Sequence, residues 1–481
     1  MLLQRIYDAP LAQASYLIGC QATGEALVVD PARDPAPYVA AAAAAGLRVT
    51  HVTETHIHAD FVSGARELAA RAGARLLLSA EGGPDWQYAY AAADGATLLR
   101  GGDRFAVGNV RVDVVHTPGH TPEHLTFLVT DGAAADAPMG ACTGDFVFVG
   151  DVGRPDLLER AAGHAGTMEA GARALFRSLQ RFKQLPDWLQ LWPGHGAGSA
   201  CGKSLGAVPT STLGYERRYN WALVETDEDA FVRAVLDGQP EPPRYFARMK
   251  RVNREGPRAL ARPDATPLDA ARLAALLDAG AVVADVRPAA AYAAAHVPKT
   301  LNLPRGASFA TWAGWLLPAD ADVYLVADGA DEARAAVADL SRVGVDRVAG
   351  WWDARAALDA WTSSGRAPGA VPQTDARALA DALDAGAVAV VDVRAAHEWE
   401  AGHLPGATHV PLGHLAERLD ELPRDRPVVV QCQGGARSAI GASVLRAHGF
   451  ADVMNLAGGL AAWRDAGLPV ERGADVGAGA R

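Results

Sequence analysis

Short β-branched runs at residues 26–30, 49–53, 110–115 and 125–130 alternate with helical patterns through the first half of the chain, and loops carrying His, Asp and Gly follow several of them. The second half has a different rhythm. Ala/Leu-rich helical patterns at 268–279 and 376–385 each lead into a short β-type run ending in Asp-Val-Arg, at Asp285 to Arg287 and again at Asp392 to Arg394. His296, Pro298 and Pro304 follow the first copy and His403, Pro405 and Pro411 the second, every pair 107 residues apart. A repeat of this kind predicts two copies of one α/β domain with a parallel sheet. Stretches rich in Pro, Gly and charge at 238–243 and 254–267 read as linkers. The expected domains are therefore 1–255, 262–365 and 368–475.

A chain of 481 residues suits about three domains at roughly 150 residues each. The net charge of −11 gives no electrostatic case for nucleic acid or an anionic membrane. The Ala-rich run at 39–47 is far short of the ~18 apolar residues a membrane span needs, and the first twenty residues lack a basic start before a cleavable apolar stretch. A cytoplasmic location is expected. The four cysteines, Cys20, Cys142, Cys201 and Cys432, suit neither a disulfide framework nor a zinc knuckle and read as free thiols, with Cys20 and Cys142 in the core.

Candidate chemistry begins at Thr55-His56-Ile57-His58-Ala59-Asp60-Phe61. The pattern His-x-His-x-Asp-His gathers ligands for two metals, but Phe61 replaces the last imidazole, so the stretch reads as part of a one-metal site. Two imidazoles and one carboxylate leave adjacent coordination positions open, an arrangement associated with non-haem iron. Three further motifs follow: His120 in Thr-Pro-Gly-His, Asp145 in Thr-Gly-Asp, and His195 in Pro-Gly-His-Gly. Any one alone would read as a turn residue; together their order is specific. His116 and His124 read as structural.

These four motifs resemble the metallo-β-lactamase fold, an αββα sandwich. Residues 143–158, TGDFVFVGDVGRPDLL, and 196–203, GAGSACGK, narrow the resemblance to the persulfide dioxygenases, in a branch with rhodanese domains behind the catalytic half. The resemblance implies one Fe(II) per chain, held by His56, His120 and Asp145. His58, Asp60 and His195 would then orient ligands and bound water through hydrogen bonds. Arg154 and Lys203 are candidates for holding carboxylates of a glutathione-type or coenzyme A-type persulfide, and Cys201 could bring a thiol towards the site entrance.

In the last domain a β-type run at 428–431 delivers Cys432 into Gln433, Gly434, Gly435, Ala436, Arg437 and Ser438, and 439–448 reads as a helix. Backbone N–H groups of a Gly-rich loop at a helix start make an anion cradle that favours a thiolate, and Arg437 adds positive charge. This resembles the rhodanese (sulfurtransferase) active loop. The middle domain has no cysteine; its equivalent position falls at Ala327 or Asp328, so it reads as a catalytically silent copy. The fold class expected is thus α/β and α+β multidomain: an αββα sandwich followed by two rhodanese-like α/β domains.

The combined expectation is iron-dependent oxidation of a thiol persulfide by dioxygen to sulfite, coupled through a Cys432 persulfide to thiosulfate, with the reverse sulfur flow left open. A homo-oligomer is compatible with the sequence. The alternatives are a zinc-dependent thioesterase of the glyoxalase II type and a non-catalytic sulfur-sensing scaffold.

Overall fold

The computed structural model describes residues 1–160, 166–203, 205–260 and 266–473, and Leu158 by its backbone alone. The expected domain limits at 262 and 475 lie outside the described residues. Two compact units are present: Met1–Ala261 with Ser341–Gly344, and Arg262–Leu340 with Val345–Arg481. Among the described residues no helix is long and apolar enough to cross a membrane.

The first unit is built on two six-stranded sheets. Strand Gln13–Cys20 is buried along its whole length because both its faces are covered, whereas strand Val110–His116 alternates between buried and half-buried positions. Tyr16, Ile18 and Leu27 of one sheet meet Val112, Phe127 and Trp192 of the other in a shared core. The outer face of the first sheet packs on Ala36–Ala44 and Ala65–Ala72, and that of the second on Thr167–Phe182 and Glu228–Leu236. This layering is the αββα sandwich.

Topology brings the motifs to one edge. Strand Leu125–Asp131 runs antiparallel to both Val110–His116 and Gly140–Gly144, and Gly140–Gly144 is parallel to Gln190–Pro193. Three strand ends, preceding His120, Asp145 and His195, therefore point the same way. The fourth motif follows Arg48–Thr53 of the other sheet.

In the second unit the middle domain has a four-stranded parallel sheet and the last domain a five-stranded one. The helical pattern expected at 268–279 divides into a 3-10 turn, Ala270–Arg272, and a short helix, Leu273–Asp278. Each Asp-Val-Arg folds on itself: Arg287 pairs with Asp285 and Arg394 with Asp392, both at 2.6 Å and buried. The register settles which residue replaces the cysteine. Asp285 is paired with Val326 and Asp392 with Gln431, so the residue facing the position of Cys432 is Ala327. The middle domain packs on its neighbour: strand Leu301–Asn302 lies against helix Ala436–Ala447, and Asn302 N–H donates to Ser443 Oγ at 2.9 Å.

The repeat extends to its histidines. His296 stacks on Tyr292 at 3.9 Å, and His403 on Trp399 at 3.6 Å. Burial lowers the His296 pKa to about 4, so its neutral ring opposes acidification. The folded pKa lies below the ordinary value of about 6.5. Stability is therefore full above pH 6.5 and is lost as the pH falls through about 4. Urea denaturation of the wild type and His296→Gln between pH 4 and 7 should show a shallower acid loss in the variant.

Candidate metal centre and sulfur-transfer loop

Asp30, at the end of strand Glu25–Val29, organises the first site. Its backbone has φ +52°, unusual for a residue with a Cβ, and its carboxylate accepts from Thr55 N–H at 2.6 Å, Thr55 Oγ at 2.9 Å and His58 Nε2 at 3.1 Å. Because Thr55 Oγ donates to Asp30, it accepts from His56 Nδ1, at 3.0 Å. That leaves the lone pair of His56 on Nε2. The same logic fixes two more rings: His120 Nδ1 donates to the Arg154 carbonyl at 2.9 Å, and His195 Nδ1 to the Ala12 carbonyl at 3.1 Å. Three Nε2 lone pairs thus face one carboxylate.

That carboxylate is Asp145, fully buried, with no hydrogen-bond partner on either oxygen. Its oxygens lie 3.9 Å from His56 Nε2, 3.5 Å from His120 Nε2 and 3.5 Å from His195 Nε2. Burial raises its pKa to about 6, although His195 opposes the rise. Burial also holds His56 and His120 well below the usual imidazole range, which keeps both neutral. Neutral imidazoles facing an orphaned carboxylate in a buried site are the donor chemistry of a divalent cation. The ligating atoms of His56, His120 and Asp145 all lie within 4.8 Å of one another, as do those of Asp60, His195 and Cys201.

Close packing holds the carboxylate in place. Gly144 has φ +48°, and a Cβ there would stand 2.4 Å from Thr55 Oγ. Phe61 is fully buried, its ring 4.4 Å from that of His58, so carbon occupies the position where the two-metal pattern places nitrogen.

The second site is the loop after strand Val428–Gln431. Cys432 is buried, and its sulfur accepts from Gly435 N–H at 3.1 Å and Ser438 Oγ at 3.4 Å. Gly435, at φ +97°, turns the chain into helix Ala436–Ala447. Gln433, Gly434 and Ala436 are exposed around the sulfur. Arg437 makes a two-pronged ion pair with Glu398, at 2.6 and 2.7 Å. The charge expected from Arg437 is thus balanced by a neighbouring carboxylate.

Comparison with known proteins agrees with both folds. The model for the metallo-β-lactamase superfamily matches residues 8–195, and that for the rhodanese-like domain matches 269–360 and 375–466. A solved metallo-β-lactamase structure from Staphylococcus aureus subsp. aureus COL is 43% identical, covers 73% of this chain and 99% of that one, and superposes with a TM-score of 0.68. This chain belongs to the metallo-β-lactamase superfamily and carries two rhodanese-like domains. A sulfurtransferase of Allochromatium vinosum is 38% identical over 101 residues, 21% of this chain and 94% of that protein. A hydroxyacylglutathione hydrolase of Rhodospirillum rubrum is 31% identical over 180 residues, 37% of this chain but only 60% of that protein.

Within the metallo-β-lactamase domain several expected residues take other places. Arg154 is fully buried and forks onto Asp156, with both N–H···O distances 2.7 Å, while also donating to the Ala200 carbonyl. Lys203 Nζ donates to the carbonyls of Ala234 and Asp237, at the end of helix Glu228–Leu236. These partners correct the expectation that Arg154 and Lys203 hold a substrate carboxylate: both cations already have internal acceptors. Arg154 instead fixes His120 through its own carbonyl. Cys201 is not at an entrance; it is buried beside Asp60 and His195, and burial pushes its thiol pKa well up.

Sequence reasoning passed over Asp30 and Glu398, and it gave His124 no specific task. His124 Nε2 accepts the Asp145 N–H at 3.2 Å, its Nδ1 donates to Thr117 Oγ, and its ring stacks on His56 at 5.2 Å. Asp30 lies 25 residues before Thr55, in no motif with it. Glu398 precedes Arg437 by 39 residues.

Proposed function

We propose that the rhodanese-like and metallo-β-lactamase domains act in one sulfur-oxidising sequence. A low-molecular-weight persulfide is oxidised in the first site, and Cys432 transfers sulfur in the second. The overall oxidation balances as RSSH + O₂ + H₂O → RSH + SO₃²⁻ + 2H⁺: the terminal sulfur is oxidised, dioxygen is reduced, and the S–S bond breaks to release a thiol. The Cys432 thiolate takes the sulfane sulfur of a second persulfide, and sulfite then attacks that sulfur, leaving Cys432 as thiolate and releasing thiosulfate.

The observation that carries this reading is the unpartnered Asp145 carboxylate facing the Nε2 atoms of His56 and His120, with Phe61 in place of a further imidazole. His56, His120 and Asp145 would hold Fe(II), which when bound supplies the electron transfer that dioxygen chemistry needs. Thr55 and the Arg154 carbonyl keep Nε2 as the ligating atom of each ring. His124 holds the backbone of Asp145 so that both carboxylate oxygens stay turned to the site. Phe61 and Ile57 keep the surroundings apolar. At the second site, Gly435 N–H and Ser438 Oγ hold the sulfur, and the two-pronged pair with Glu398 fixes Arg437 at the start of the helix that follows the loop.

Oxygen consumption by the iron-loaded protein with glutathione persulfide or coenzyme A persulfide tests the first step; no uptake with either refutes it. Arg437→Lys tests the second. Lysine keeps the charge but cannot reproduce the two-pronged pair with Glu398, so sulfur transfer from thiosulfate should fall by about tenfold. Equal rates would remove Arg437 from the reaction.

One observation favours a second reading, thioester hydrolysis with two zinc ions. The ligating atoms of Asp60, His195 and Cys201 converge beside Asp145, and a hydroxyacylglutathione hydrolase is among the relatives. Two zinc ions per chain with thioester turnover and no oxygen uptake would establish it.

A further inference from the structure

Helix Tyr245–Glu255 carries Lys250 into the interior of the first unit, where only 6% of its surface is exposed. Its ammonium has no hydrogen-bond partner, a costly arrangement for a buried cation. Nζ lies 4.8 Å from the centre of the Trp86 ring, and a cation–π contact compensates only part of the lost hydration. Its electrostatic neighbours are the Glu123 carboxyl, the Cys201 sulfur and His120. Glu123 is itself buried, with one oxygen accepting Ile57 N–H and the other without a partner.

Trp86 also lines a cavity of about 410 Å³ with Pro118, Gly119, Pro122, Thr167 and Gly171, against the turn that carries His120. A ligand in that cavity reaches the aromatic ring that covers Lys250. Arg154 and Lys203 already have internal acceptors, whereas Lys250 Nζ, an electrostatic neighbour of His120, has no hydrogen-bond partner among the described residues.

We propose that Lys250 is the positioning residue that receives the anionic terminal sulfur of the substrate, with Trp86 as the wall over which it enters. This assignment rests on the persulfide reading above and extends it by naming the group that recognises the anion. A soft monoanion supplies the missing partner while the carrier occupies the cavity.

The test uses the full iron-loaded chain, with Lys250→Met and, in case that variant does not fold, Lys250→Gln. The KM for glutathione persulfide should rise at least tenfold while kcat changes less than threefold and iron content stays constant. The persulfide of 2-mercaptoethanol, which has no carboxylate, should show the same rise. Anaerobic calorimetry with hydrosulfide should show binding weakened at least tenfold, and the thermal midpoint should increase because an unpartnered buried charge is gone. Lys250→Arg should recover part of the KM. If the wild type consumes no oxygen, the dioxygenase reading fails, and the loss of hydrosulfide binding still decides the role of Lys250. Unchanged KM and binding, a fall in kcat alone, or an effect confined to the glutathione carrier would overturn the assignment.

Discussion

On the proposed function, His120→Ala is expected to abolish oxygen uptake with persulfide substrates, by at least a thousandfold, and to leave the purified protein with less than a tenth of the wild-type iron. The expectation follows from the geometry of the ring. His120 Nε2 stands 3.5 Å from Asp145, and the Arg154 carbonyl holds its Nδ1 hydrogen. Truncation removes one of the three proposed ligating atoms and gives Asp145 no replacement partner in a fully buried site. Asp145→Asn removes the charge while keeping the shape, and it should lose iron equally. Metal analysis alongside an oxygen electrode checks both variants, and a His120→Ala protein retaining full iron and uptake would place the metal elsewhere. Because His120 acts in the first unit alone, sulfur transfer from thiosulfate by this variant should stay within twofold of wild type.

Cys432→Ser produces the opposite pattern: oxygen uptake within twofold of wild type, and sulfur transfer lowered by at least a thousandfold. Serine fills almost the same volume, so the loop that closes through Gly435 N–H and Ser438 Oγ should persist. The alkoxide it would need is far less accessible than a thiolate, and it cannot carry sulfane sulfur. Sulfite should then accumulate where the proposed sequence has the wild type release thiosulfate. Chromatographic separation of the two anions after persulfide oxidation reads the result directly. Loss of both activities together would contradict two independent sites. No cysteine introduced at Ala327 is expected to rescue the variant, because Ala330 stands at the place of Gly435 and Glu332 at that of Arg437, and Glu332 already accepts from Asp328 N–H.

Much of this arrangement was legible in the sequence. The 107-residue repeat marked two related α/β domains, and the register of Asp285 and Asp392 in their sheets follows it. The motifs around His56, His120, Asp145 and His195 were each readable as loops after strands; strand ends that point the same way bring the last three together, and the first comes from the other sheet. Other features had no local signature. Asp30 owes its role to a left-handed backbone and to Thr55, 25 residues away, and Glu398 to an ion pair across 39 residues. Arg154 and Lys203 looked like free cations because sequence shows charge but not acceptors; hydrogen bonds to Asp156 and to the carbonyls of a helix end engage them.

The sequence by itself determined which residues could do chemistry: the imidazoles, the carboxylate after Thr-Gly, the single cysteine in a glycine loop, and the absence of one in the middle copy. Side-chain chemistry and strand periodicity are local properties, carried by neighbours along the chain. Only the tertiary structure decided the tautomer of each histidine, the orphaning of Asp145, the burial of Cys201 and the exposure of Lys250 to an acid and a sulfur but to no hydrogen-bond acceptor. Those depend on hydrogen bonds and desolvation between segments far apart in sequence, which exist only after the two sheets have packed.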